Sequence, residues 1–145
     1  MAAGSYFCRK LYDMGFMKKE KFQLEYMLNS ASREIVWTNI STAAGLERWF
    51  ADGVKVEGKL YTFEWGGGEE RRSAELSAIR SGVSVRFRWV DEKTEHTYFE
   101  FKIGYDELTG DCMLTISDFA EPDDKDEQIE LWNSEVEELK RACGV

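Results

Sequence analysis

Few residues in this chain are of types that do chemistry, so each can be weighed in turn. There is one histidine, His96, and three cysteines, Cys8, Cys112 and Cys143. A general base at His96 needs a carboxylate or hydroxyl partner in register, and none stands at local spacing, which favours a surface histidine after an acidic turn. The cysteines have no C-x-x-C or zinc-type spacing. Strand and helix registers aim Cys112 and Cys143 at a core, where thiols are inert packing groups. Gly66-Gly67-Gly68 is followed by Glu69-Glu70 in place of the Lys-Ser/Thr of a phosphate loop, so it reads as a flexible hairpin.

Charged residues give two further candidates. Arg86 and Arg88 lie on the polar side of their strand, with Glu100 and Glu64 on strands that could neighbour it. Cross-strand ion pairs worth roughly 0.2–1 kcal/mol explain them; the alternative is a cationic face for an anionic partner. Asp118 continues the inward register of Cys112, Leu114 and Ile116. It either caps the turn into Pro122 or supplies the polar group at a pocket mouth. No nucleophile elbow, metal triad or isolated acid/base carboxylate pair stands out. The expectation is a non-enzymatic protein with no catalytic residue, no metal and no cofactor.

The elements that must position these residues begin at the C-terminus. Pro122 suits a first helical turn, Asp123, Asp124 and Asp126 complement the positive end of the helix dipole, and Lys140 and Arg141 the negative end. Gly144 can close the helix in the left-handed conformation. Ile129, Trp132, Val136, Leu139 and Cys143 recur at spacings of three and four, one apolar stripe on a helix of roughly 18 residues. Such a stripe needs a receiving surface, and the preceding chain supplies one. Phe22, Leu24, Tyr26 and Leu28 mark a half-buried first strand; Asn29 and Ser30 can cap a short helix through Ile35, Val36 and Ile40. Thr42 can cap a second, with Leu46, Trp49 and Phe50 on one face, ended by Asp52-Gly53.

From Val54 to Phe119 the period is two. Val54 and Val56, then Tyr61, Phe63 and Trp65, then Ala74, Leu76 and Ala78 alternate with polar neighbours. So do Val83, Val85, Phe87 and Trp89, then Thr97, Phe99, Phe101 and Ile103, and finally Cys112, Leu114 and Ile116. Strands every 8 to 15 residues or so, with Gly, Asp and Ser turns, imply antiparallel hairpins. The expected fold is α+β: a curved antiparallel sheet of about seven strands around a long C-terminal helix, with two short helices after strand one.

Composition bounds the rest. The 145 residues suit one domain, and 43% apolar residues with 14% aromatics are ample for a core. Nineteen Lys and Arg against 28 Asp and Glu give a net charge of −9, which repels phosphate backbones and anionic lipid surfaces. Nucleic acid is therefore not an expected partner. No apolar run approaches a bilayer span of about 18 residues. Residues 1–16 differ from the remainder and are expected to be an N-terminal extension, disordered or dispensable, before a domain over 17–145. The rival reading is an arm whose Tyr6, Phe7, Leu11, Tyr12 and Phe16 dock on that domain. Free thiols and no signal-peptide pattern point to the cytoplasm.

The order strand, two helices, six strands, long helix resembles the helix-grip fold of the START-like or SRPBCC superfamily. The resemblance is carried by Ile40-Ser41-Thr42 to Gly45-Leu46, Trp49-Phe50-Ala51-Asp52, Tyr61 to Trp65, Val85 to Trp89, Tyr98 to Phe101 and Leu131-Trp132. It lies nearest the bacterial START-like branch beside the domains that activate the heat-shock chaperone ATPase, and it covers Met17 to Val145. One scaffold there serves lipid carriers, cyclases, receptors and chaperone activators, so the resemblance is specific for fold and not for activity.

In related folds the space between sheet and helix is a cavity open at one end. Here Trp49, Tyr61, Phe63, Trp65, Phe87, Trp89, Phe99, Phe101, Leu114, Trp132, Val136 and Leu139 would line it. Large rigid rings suit pocket walls; equally, they could fill the space as a solid core. The first functional expectation is binding of a small apolar or amphipathic ligand, for example a lipid, in that cavity. The alternative is a protein-interaction module resembling the chaperone ATPase activators. A cyclase-type enzyme comes third, because such enzymes need polar groups within a cavity that here reads as apolar.

Overall fold

The computed structural model describes residues 18–92 and 96–145. Cys8, and the expected extension or docked arm at residues 1–16, lie outside the described residues. Ten elements follow one another: β1 (Glu20–Met27), α1 (Arg33–Ser41), α2 (Ala43–Leu46), β2 (Gly53–Glu57), β3 (Leu60–Trp65), β4 (Glu70–Arg80), β5 (Ser84–Trp89), β6 (Phe99–Tyr105), β7 (Cys112–Ala120) and α3 (Lys125–Cys143). The strands form one antiparallel sheet of seven in the order β1-β7-β6-β5-β4-β3-β2. The sheet curves around α3, which is the α+β helix-grip arrangement expected from the strand and helix periods.

Helix α3 ends where the sequence signals place its ends. A 3₁₀ turn at Pro122–Asp124 leads in, and Gly144 terminates it at φ 78°, its N–H donating to the Arg141 and Lys140 carbonyls. Its buried face is broader than the apolar stripe. Leu131, Trp132, Val136, Leu139 and Cys143 are buried, but so are Gln128 and Glu135, while Ile129 is only half-buried. Gln128 and Glu135 stand four residues before and three after Trp132, so they share its face.

Three local readings change. The cap of α1 is Ser32, whose Oγ accepts the Ile35 N–H at 3.2 Å, and not Asn29 or Ser30. Asn29 instead sits in the turn after β1 at φ 51°, a conformation its short polar side chain tolerates. Ala78 faces outward, because a bulge between Leu76 and Ala78 shifts the β4–β5 register and sets Ile79 opposite Val85. Arg88 does not pair with Glu64, which binds Lys55 and Arg71 on its own side of the sheet; Arg88 lies opposite Glu75. Arg86 does bind Glu100, at 3.0 Å, and its guanidinium lies 3.9 Å from the centre of the Tyr98 ring.

Thr42 caps α2 as expected, its Oγ1 accepting the Gly45 N–H at 2.9 Å. Gly45 is required there: a Cβ would stand 2.0 Å from the Thr38 carbonyl oxygen, so only glycine lets α2 lie on α1. The helix closes at Leu46, and Trp49 and Phe50 reach the core from the turns that follow.

Candidate functional site

The twelve expected pocket residues come together in one cluster, all of them buried. Phe50 stands at its centre. It stacks on Trp132 with centroids 5.9 Å apart and on Phe99 at 5.7 Å, and meets Phe63 edge-on at 4.9 Å. Phe87 stacks on Phe99 at 5.2 Å, and Phe101 lies 5.7 Å from Trp132. Offset and edge contacts of this kind add roughly 0.5–1.5 kcal/mol each beyond burial. Among the described residues, then, the middle of the grip is ring packed on ring.

Polar groups pin these rings. Trp49 Nε1 donates to the Asn39 carbonyl at 2.7 Å and Trp65 Nε1 to the Phe50 carbonyl at 2.9 Å. Asp118 is buried, and its carboxylate accepts from Trp132 Nε1 at 2.9 Å, the Phe119 N–H at 2.7 Å and Gln128 Nε2. It thus ties β7 to α3, a third outcome beside the turn cap and the pocket-mouth group. Burial pushes its pKa up to about 6, against the pull of those three donors and of the Lys19 charge. A second buried ionic group is Arg72, whose Nε and Nη2 bind the Asp91 carboxylate at 2.9 and 2.8 Å while its guanidinium lies 4.1 Å from the Trp89 ring centre. Arg72 continues the inward register of Ala74, and that alternation was its sequence signal.

An open cleft of about 260 Å³ lies where α3 passes the segment 47–52 and the end of β3. Its apolar walls are Trp49, Phe50 and Trp65, and its polar groups are Glu47, Arg48, Asp52, Glu135 and Glu138. The backbone around it is held firmly. Glu47 Oε2 accepts the Val54 N–H at 2.9 Å, Asp52 Oδ2 accepts the Gly66 N–H at 2.8 Å, and the Asp52 N–H donates to Glu64 O at 2.9 Å. Trp49 and Trp65 are thus the two expected pocket residues that line this cleft. Asp52, Glu135 and Glu138 were not expected in a site; the helical spacing of Glu135 from Trp132 and Leu139 carried the signal.

Burial also pushes the Cys112 and Cys143 thiols up, which removes thiolate character. His96 is exposed, as its position after the acidic turn implied. Among the described residues no group of three or more His, Cys, Asp or Glu is placed to hold a metal ion. No helix there is long and apolar enough to cross a membrane.

A sheet wrapped on one helix, with an opening beside that helix, defines the helix-grip class. Residues 16–145 match the START-like superfamily domain. The chain belongs to that superfamily. It is similar to a Bacteroides fragilis protein solved by solution NMR, at 51% identity and a TM-score of 0.62, over 88% of this chain and 93% of that one. The fold is also that of the Aha1 dimer from Colwellia psychrerythraea (17% identity, TM-score 0.67, 88% of this chain and 96% of that one). An AHSA1-like protein from Aeromonas hydrophila gives 16% identity and a TM-score of 0.65 over 85% of this chain and 91% of that one. No curated protein matches the chain.

Proposed function

We propose that this domain binds a small apolar or amphipathic ligand at the open end of its grip, in the cleft between α3 and the sheet. The observation that carries the reading is the cleft of about 260 Å³ walled by Trp49, Phe50 and Trp65, close to the lower size of small-molecule sites, roughly 300 Å³. The other expected wall residues then act as scaffold: Phe63, Phe87, Phe99, Phe101, Leu114, Trp132, Val136 and Leu139 hold the mouth rigid, and Tyr61 and Trp89 flank them. The ligand is held by shape and apolar contact, without chemistry on it. A cyclase-type activity has less support, because Asp118 spends its acceptor capacity on Trp132, Gln128 and the Phe119 N–H.

The test is titration with an uncharged fluorescent apolar probe, followed by tryptophan emission, beside native mass spectrometry of co-purifying molecules. Saturable binding weakened by Trp49→Ala is expected; no saturable change in the wild type sinks the proposal. Leu114→Trp separates mouth from middle. Leu114 is fully buried, so the added ring should destabilise by about 1–3 kcal/mol while leaving probe affinity in the folded fraction unchanged.

A second reading, a protein-interaction module, has one specific support. On the outer sheet face Arg86 and Arg88 stand two residues apart on β5, a cationic pair suited to an acidic surface, with Arg86 also engaged by Glu100 and Tyr98. Charge reversal at both should abolish stimulation of a cognate chaperone's ATP turnover. No stimulation and no complex at micromolar concentration removes this reading.

A further inference from the structure

The cleft holds a carboxylate that no protein donor satisfies. Glu135 is only 7% exposed, yet no hydrogen-bond donor or ion-pair partner meets its carboxylate among the described residues. Glu135 lines the cleft, and the charge that acts on it is that of another lining carboxylate, Asp52. Asp52 uses Oδ2 to accept the Gly66 N–H, leaving its other oxygen uncommitted. The remaining charged groups of the cleft are engaged elsewhere or stand apart. Glu47 accepts from Val54, Glu138 pairs with Arg141, and Arg48 forms no ion pair with Glu135. The Glu135 oxygens are not among the fully enclosed unpartnered atoms, so solvent in the cleft reaches them, and a donor group of a ligand would take the place of that water.

We infer that the cleft takes an amphipathic primary amine, its ammonium donating to Glu135 and Asp52 and its chain lying on Trp49, Phe50 and Trp65. The inference rests on the reading of this cleft as the ligand site. An ammonium has three donors and no acceptor, which fits two carboxylates lining one cleft. Indole and phenyl faces nearby attract the same charge through their quadrupoles. A hard divalent cation fits less well, since calcium takes six to eight oxygens and the apolar walls offer none.

The arrangement couples binding to a proton. Burial, reinforced by Asp52, pushes the Glu135 pKa up to about 8, so near neutrality the empty site holds a protonated acid. An arriving ammonium stabilises the carboxylate, and the proton leaves to solvent. Affinity should therefore rise with pH through about 8, while an alkylamine, with a pKa near that of lysine at about 10.4, keeps its charge.

Calorimetric titration with octylamine, octanol and octanoate at pH 6.5 and 8.5, on wild type and Glu135→Gln, tests this. Gln keeps the volume of Glu, and an unchanged melting temperature at pH 6.5 shows that the variant is folded. The wild type should bind octylamine roughly ten- to a hundredfold tighter than octanol at pH 8.5, with proton release at pH 6.5. Glu135→Gln should erase both the preference and the proton release and leave octanol affinity intact. Equal affinity for octylamine and octanol, a preference for octanoate, or a preference that survives Glu135→Gln overturns the amine inference and leaves ligand binding standing. Failure of all three probes to bind overturns both.

Discussion

Two buried carboxylates flank the same helix, and they differ in everything but burial. Asp118, at the end of β7, meets an indole N–H, a side-chain amide and a backbone N–H. Glu135, two turns along α3 from Gln128, meets none of these and feels the charge of Asp52. Burial raises both pKa values, to about 6 for Asp118 and about 8 for Glu135. The donors around Asp118 hold the rise down, and the like charge beside Glu135 adds to it. The protein has invested hydrogen bonds in one carboxylate to lock its helix to its sheet, and has left the other without them beside open space. The first is structure, and the second is the group to which our proposal assigns the ligand's ammonium.

The comparison can be broken most directly through Trp132. Trp132→Ala removes a ring stacked on Phe50 and the indole donor to Asp118, and should cost about 3–5 kcal/mol in denaturant unfolding. A cost under about 1 kcal/mol would mean that the locked end of the helix is not locked. Asp118→Ala leaves Trp132 Nε1 and Gln128 without their acceptor and should cost about 2–3 kcal/mol. In a double-mutant cycle the two losses should fall well short of adding, because they share one interaction; full additivity would separate Asp118 from Trp132.

Glu135 should report through pH. An acid whose folded pKa is raised contributes stability that is complete below its unfolded value and is lost as pH climbs through the folded one. For Glu135 that window runs from 4.5 to about 8, and for Asp118 from 3.8 to about 6. Stability of the unliganded wild type should fall with a slope of up to about 1.4 kcal/mol per pH unit between pH 6 and 8. Glu135→Gln should flatten that slope; an unchanged slope would show that Glu135 ionises freely. The smallest effect belongs to Glu138→Ala, one turn further along and half exposed beside Arg141, where a loss within about 0.5 kcal/mol is expected. A larger loss would place Glu138 with the buried pair.

The sequence by itself determined the order of elements, the two-residue period of the strands, the ends of α3 and, apart from Ala78 at the β4 bulge, the inward set from Tyr61 to Leu139. Those features are local: alternation, helical spacing and capping each act over a few residues, so the string alone displays them. It did not determine which inward residues would touch one another and which would face a space. Trp49, Trp65 and Phe101 read alike in sequence. Only the packing of segment 47–52 against α3 leaves the first two at a cleft and the third in contact with Trp49 and Trp132. Asp118 and Glu135 were likewise two acids among 28. What sets them apart is which donors lie within about 3 Å: Trp132 and Gln128 of α3 reach Asp118 only when the sheet closes on its helix, and no such donor reaches Glu135.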